Sequence, residues 1–163
     1  MNWLGEIIQE HVMNDDAVLD LGCGIMQATH DMVCKSILGV DLWDKYLDKI
    51  KYLHPVCKIN MDETNRFMDN SFDTVICLDV VEHLEKDLAL KIIDECKRIC
   101  RRKAIIYTPK EFKDNKESIS DSWGMGENPH QEHKCVLNIN DFINKGYFII
   151  PDELGILAVY PKC

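Results

Sequence analysis

The chain has 163 residues, 46% of them apolar and 29% charged, which suits one folded domain built on one core. No apolar run reaches the roughly 18–20 residues that span a bilayer, and a net charge of −9 argues against nucleic acid or an anionic membrane as partner, because either would need excess positive charge on the protein. The acidic, amphipathic N-terminus lacks the basic start of a signal peptide, and the eight scattered cysteines, with no C-x-x-C pair, read as small hydrophobes in a reducing, cytoplasmic compartment.

The first residues read as a short helix that packs Leu4, Ile7, Ile8 and Val12 on the domain. Ala17 to Leu21 is an apolar strand that stops at the turn Gly22-Cys23-Gly24. Residues 25–35 read as a helix, and Ser36 to Asp41 as a second strand with an acid at its end. Lys45 to Leu53 carries Tyr46, Leu47, Ile50 and Leu53 at helical spacing behind a possible Asp44 cap. Val56 to Ile59 is a short strand running toward Asp62.

Phe72 to Leu78 is nearly all apolar after Asp73, the pattern of a strand covered on both faces. The helix that follows places Leu84, Leu88, Ile92, Cys96 and Ile99 on one side. The basic cluster Arg98, Arg101, Arg102 and Lys103 falls at its end, where it would complement the helix dipole. Ala104 to Tyr107 is a fifth strand closed by Thr108-Pro109. Asn140 to Lys145 reads as a short helix ended by Gly146, and the short connection between Tyr147–Ile150 and Leu154–Tyr160 predicts a hairpin with an antiparallel last strand. Between Lys110 and Cys135 no element fits; a polar stretch of that length is expected to be a lid facing the substrate.

Asp20, Asp41, Asp62 and Asp79 all fall at or near strand ends, the edge of an open parallel sheet at which ligands bind. Gly22 and Gly24 allow a ligand to approach the backbone. Asp41 lies 21 residues beyond Asp20, close to the roughly 20-residue interval of an acid that holds a ribose diol. A dinucleotide site would want a third glycine, but the run continues Ile25-Met26-Gln27, and the acidic surroundings suit a cationic ligand better than a diphosphate.

Val18-Leu19-Asp20-Leu21-Gly22-Cys23-Gly24, Gly39-Val40-Asp41 and Phe72 through Leu84 resemble the first, second and fourth-strand motifs of the class I S-adenosylmethionine-dependent methyltransferases, in their small-molecule branch. The resemblance covers about residues 16–109, and with the order of elements it implies an α/β fold: one domain over 1–163, a Rossmann-like, doubly wound, seven-stranded mixed sheet with an antiparallel C-terminal strand and helices on both faces. It implies S-adenosylmethionine as cofactor. Asp20, Gly22, Cys23 and Gly24 would shape the methionine pocket; Asp41 would hold the ribose, with Leu42 against the adenine. Met61 and Asp62 would meet the adenine edge, while Asp79 and Val80 would line the methionine end. The chain departs from many members at Met26, where they carry glycine, and at Arg101-Arg102-Lys103, where they carry a Pro-Gly-Gly turn.

The resemblance implies methyl transfer to an oxygen or nitrogen of a small-molecule acceptor. Candidate bases are His83, beside the fourth strand end, and His130 or His133 in the irregular segment; His133 stands in an Asn-Pro-x-Gln-x-His run like that of some family members. The same run, Asn128 to Cys135, matches no zinc spacing, so no metal is expected there. Competing readings are a protein side-chain methyltransferase, a catalytically silent cofactor-binding or scaffold subunit, and a nucleotide-dependent oxidoreductase. The sequence sets no oligomeric state.

Overall fold

The computed structural model describes residues 2–116, 123 and 125–162. Its strands are β1 (Ala17–Leu21), β2 (Ser36–Asp41), β3 (Val56–Lys58), β4 (Phe72–Leu78), β5 (Cys100–Pro109), β6 (Phe148–Ile150) and β7 (Gly155–Pro161). They form one seven-stranded sheet in the order β3-β2-β1-β4-β5-β7-β6. The first five run parallel, and β7 lies antiparallel between β5 and β6. The sheet is therefore the doubly wound mixed sheet expected from the sequence, with the chain reversing its direction of travel between β1 and β4.

Alternation along the strands sends neighbouring residues to opposite faces. Leu19, Leu21, Val75, Cys77, Ala104 and Ile106 pack with Ile92, Ile93, Cys96 and Ile99 of helix α3 (Lys86–Ile99) and with Phe142 of α4 (Ile139–Ile143). Val18, Ile76, Ile105, Leu157 and Val159 face the other way, onto Leu4 and Ile8 of α1 (Trp3–Gln9) and onto Val12. Leu47 and Ile50 of α2 (Asp44–Ile50) close a smaller cluster with Cys23 and Met26. No helix among the described residues is long and apolar enough to cross a membrane. The described cysteines are free thiols, buried at Cys77, Cys96 and Cys100 and exposed at Cys57.

Two local expectations are corrected. Residues 25–35 are a chain of turns rather than a helix. Met26 sits at φ 57°, Thr29 turns back to hydrogen-bond Asp20, and Val33 is exposed, so no continuous apolar stripe is left to drive a helix onto the sheet. The basic cluster does not decorate a helix end either. Arg101, Arg102 and Lys103 belong to β5, where Arg101 pairs with Asp73 at 2.6 Å and Arg102 with the buried Asp16 at 2.8 Å. Asp16 also accepts from Thr74 Oγ1, and Asp73 from the Ala17 backbone N–H, so these ion pairs tie the starts of β1, β4 and β5 together. Only Arg98 lies in the last turn of α3, bonded to Glu95 and Asp69.

Candidate active site

The carboxyl ends of β1, β2 and β4 open into a cavity of about 790 Å³ at the point where the strand order reverses. The turn after β1 forms its floor. Gly22 has φ 73°, and a Cβ there would fall 2.3 Å from Val80 Cγ2, so only glycine fits. The Gly22 and Cys23 N–H groups donate to the Val40 carbonyl at 2.8 and 3.0 Å, and Gly24 N–H donates to Asp41 Oδ2 at 2.9 Å. Trp43 N–H reaches Asp41 Oδ1 at 2.8 Å. Asp41 thus braces the glycine turn against the start of α2, and its carboxylate keeps acceptor capacity for a ligand beyond these backbone partners.

Met26 keeps the left-handed backbone that a glycine would adopt without strain, while its side chain fills the space under Gly39 and beside Leu47. Met26→Gly would relieve about 1 kcal/mol of backbone strain but empty a buried site worth about 3 kcal/mol. A net loss of about 2 kcal/mol is expected in urea unfolding; a gain in stability would mean that strain dominates at this position.

Five carboxyls line the cavity, and four of them, Asp20, Asp41, Asp79 and Glu82, are desolvated. Asp20 is buried with Thr29 Oγ1 donating to its Oδ2 at 2.6 Å; burial raises its pKa to about 7 against that bond, and Asp41 adds to the rise. Burial also raises Asp41, opposed by the N–H groups of Trp43, Gly24 and Leu42. Asp79, at φ 51° just past β4, is raised to about 6 by burial. Glu82 lies in the 3-10 turn Val81–His83 between β4 and α3, accepts from Thr108 Oγ1 at 3.1 Å, and is raised to about 8 by burial and by Asp79. A cavity with four desolvated carboxyls favours a ligand that carries positive charge.

The roof comes from the irregular segment, of which residues 117–122 and 124 lie outside the described set. Lys134 and Cys135 both donate their backbone N–H to the Glu82 carbonyl, at 2.7 and 3.1 Å, which seats 128–135 on the turn after β4. His83 and His133 come together as a result, their ring centroids 4.9 Å apart. His83 Nδ1 lies 3.2 Å from the Glu132 carbonyl oxygen, which can only accept; Nδ1 therefore carries the proton and Nε2 presents a lone pair. Burial lowers the His83 pKa to about 4, so its ring is neutral at pH 7. Burial and Lys113 lower His133 as well. Trp123 stands edge-on to Tyr46, 4.8 Å between centroids, donates Nε1–H to Gln27, and lies over Gly24.

Of the residues singled out from the sequence, Asp20, Gly22, Cys23, Gly24, Asp41, Leu42, Met61, Asp79, Val80, His83 and His133 line this one cavity, and so does His130. Asp62 does not join them. It is exposed in the 3-10 turn Met61–Arg66, whose Asn60–Glu63 capping box carries it outward, and Asn60 and Met61 form the wall in its place. The sequence reading missed Glu82 and Thr29. A Glu-His pair three residues beyond a strand-end acid was the available signal for Glu82, but its neighbours read as the start of a helix.

A family profile described as a methyltransferase domain matches residues 19–108. An uncharacterized protein of Methanocaldococcus jannaschii is 28% identical over 92% of this chain and 67% of its own length. Among solved structures, a SAM-dependent methyltransferase from Methanosarcina mazei superposes with a TM-score of 0.69 at 18% identity, covering 96% of each chain. The magnesium protoporphyrin IX methyltransferase of Synechocystis PCC 6803, solved with bound SAH, superposes with a TM-score of 0.66 at 14% identity over 98% of this chain and 80% of its own.

Proposed function

The chain belongs to the methyltransferase-domain family, and from that premise we propose that it transfers a methyl group from S-adenosylmethionine to an oxygen or nitrogen of a small-molecule acceptor. The observation that carries this reading is the set of desolvated carboxyls around a glycine turn at the strand-reversal point. That cavity complements a ligand with a ribose and a cationic sulfonium and ammonium. When bound, the cofactor supplies a methyl carbon that an acceptor lone pair attacks as the carbon–sulfur bond breaks and its electron pair returns to sulfur.

The chain's own residues have mainly to position and to exclude water. Gly22, Cys23 and Gly24 leave room for the methionine portion over their backbone, with Asp20 beneath them and Asp79 and Val80 at the side. Asp41 holds the ribose hydroxyls with the lone pairs its backbone partners leave, Leu42 covers the adenine, and Met61 offers the neighbouring edge. Asp62, exposed outside the cavity wall, is not part of this set. His83 and His133 stand on the acceptor side and position its reacting atom. The described parts of the 110–135 segment that border the cavity, among them Lys113, Asn115, Trp123, His130 and His133, set acceptor choice.

Calorimetric titration with S-adenosylhomocysteine and NADH tests the reading. Saturable binding of the sulfur ligand and none of NADH is the expected result, followed by label transfer from methyl-labelled cofactor to small molecules of a metabolite extract. Absence of S-adenosylhomocysteine binding would sink it and leave a scaffold role.

A further inference from the structure

Glu82, His83 and His133 each offer one ligand atom, and these atoms lie within 4.8 Å of one another, the only such group of three His, Cys, Asp or Glu side chains among the described residues. All three line the cavity. We infer that they form a binding site for a divalent transition-metal ion, open toward the cavity, whose free coordination positions take an oxygen of the acceptor.

The donor set fits the ion class. Two imidazoles and one carboxylate suit zinc, iron, cobalt and manganese, and three protein ligands leave positions open for water or substrate. Ligand atoms around one ion held at ~2.1 Å sit ~3–3.5 Å apart, so rotations that shift these side chains by about 1 Å close the site. The supports behind the ligands are already in place. The Glu132 carbonyl fixes His83 with Nε2 as its free donor, and Thr108 Oγ1 orients Glu82 through one oxygen, leaving the other for an ion. The N–H groups of Lys134 and Cys135 on the Glu82 carbonyl, and of His133 on Asn115 Oδ1 at 2.9 Å, hold the third ligand against the first two. Two imidazole rings in edge contact beside a buried carboxyl have little packing value that apolar residues would not supply better. Their placement on a cavity wall is chemical.

The identity of the acceptor follows only if the methyltransferase reading holds. An ion at this site selects acceptors with a hydroxyl or paired oxygens over simple amines, and it lowers the pKa of a hydroxyl so that its proton leaves to water before the oxygen lone pair attacks. The ion site itself does not depend on that reading.

The probe is Co²⁺, added to tag-free, chelator-stripped full-length protein and followed by its visible d–d absorption. The expected result is saturation at about one ion per chain, with affinity at least ~10-fold weaker in His133→Ala and unchanged in His11→Ala. His133 lies on a partly exposed surface segment, so its replacement spares the core; Glu82→Gln is read beside it, with thermal unfolding of each variant. No saturable binding, or binding that His133→Ala leaves intact, such as a thiolate spectrum from the exposed Cys57, would overturn the inference. S-adenosylhomocysteine titration of the same samples separates the outcomes. Cobalt binding without cofactor binding sinks the methyltransferase reading alone, and the reverse pattern sinks the ion site alone.

Discussion

Asp41→Ala is expected to weaken S-adenosylhomocysteine binding at least ~100-fold in calorimetry while the protein stays folded. In the proposed complex the carboxylate accepts two hydrogen bonds from the ribose, and bonds to a charged acceptor are worth about 1.5–3 kcal/mol each; a loss of about 3 kcal/mol is a factor of roughly 100 in affinity. The substitution also takes the acceptor from Gly24 N–H and Trp43 N–H, so the glycine turn and the start of α2 lose their brace. That second effect lowers preorganisation of the floor and adds to the loss. Asp41→Asn keeps one carbonyl oxygen for the turn and is expected to bind about 10-fold more tightly than the alanine variant. Wild-type affinity in Asp41→Ala would place the ribose elsewhere and remove Asp41 from the site.

Most of the sheet was legible because buried parallel strands are short apolar runs with abrupt ends. β1 stops at Gly22-Cys23-Gly24 and β2 at Asp41, as expected, and the hairpin signal around Pro151-Asp152-Glu153 led to the antiparallel β7. Local pattern failed where tertiary contacts decide. Residues 25–35 have helical composition, but the hydrogen bond from Thr29 to Asp20 and the left-handed Met26 fold the segment over the cavity floor. Arg101 and Arg102 read as helix-end charges because their partners Asp15, Asp16 and Asp73 are distant in sequence.

The site followed the same division. Residues attached to strand ends, Asp20, Asp41 and Asp79, were visible because topology alone places them at one edge. The neighbourhood of His133 was not, since it depends on two backbone N–H groups finding the Glu82 carbonyl some 50 residues away. Beyond its place next to His83, Glu82 carried no signal of its own in the sequence, and its burial between Thr108 and the docked segment rests on the same contact. The strand-end side of the cavity is thus built by the sheet, and the His83–His133 side by a long-range contact that single-sequence periodicity does not carry.

Asp20 supplies the second large effect, on stability. Its unfolded-state pKa is about 3.9 and its folded value about 7, raised mainly by burial. Between those values the native state holds a proton that the unfolded chain has released, so this group's contribution is greatest below pH ~4 and is lost as pH rises through about 7. A shift of about three units corresponds to roughly 4 kcal/mol. Asp20→Asn cannot ionise, and its side-chain oxygen still accepts from Thr29. At pH 5.5 the variant and the wild type are therefore compared with the Asp20 site neutral in both folded states. At pH 8 the variant is spared the cost of a buried carboxylate. The other raised acids of the cavity titrate in both proteins and largely cancel in the difference, Asp41 contributing only through its interaction with Asp20. Urea unfolding should thus show the advantage of Asp20→Asn growing by about 2–3 kcal/mol from pH 5.5 to pH 8. A constant difference across that range would mean that Asp20 is ionised throughout. Such a carboxylate would be a standing negative charge under the glycine turn rather than one that a cationic ligand draws out on binding.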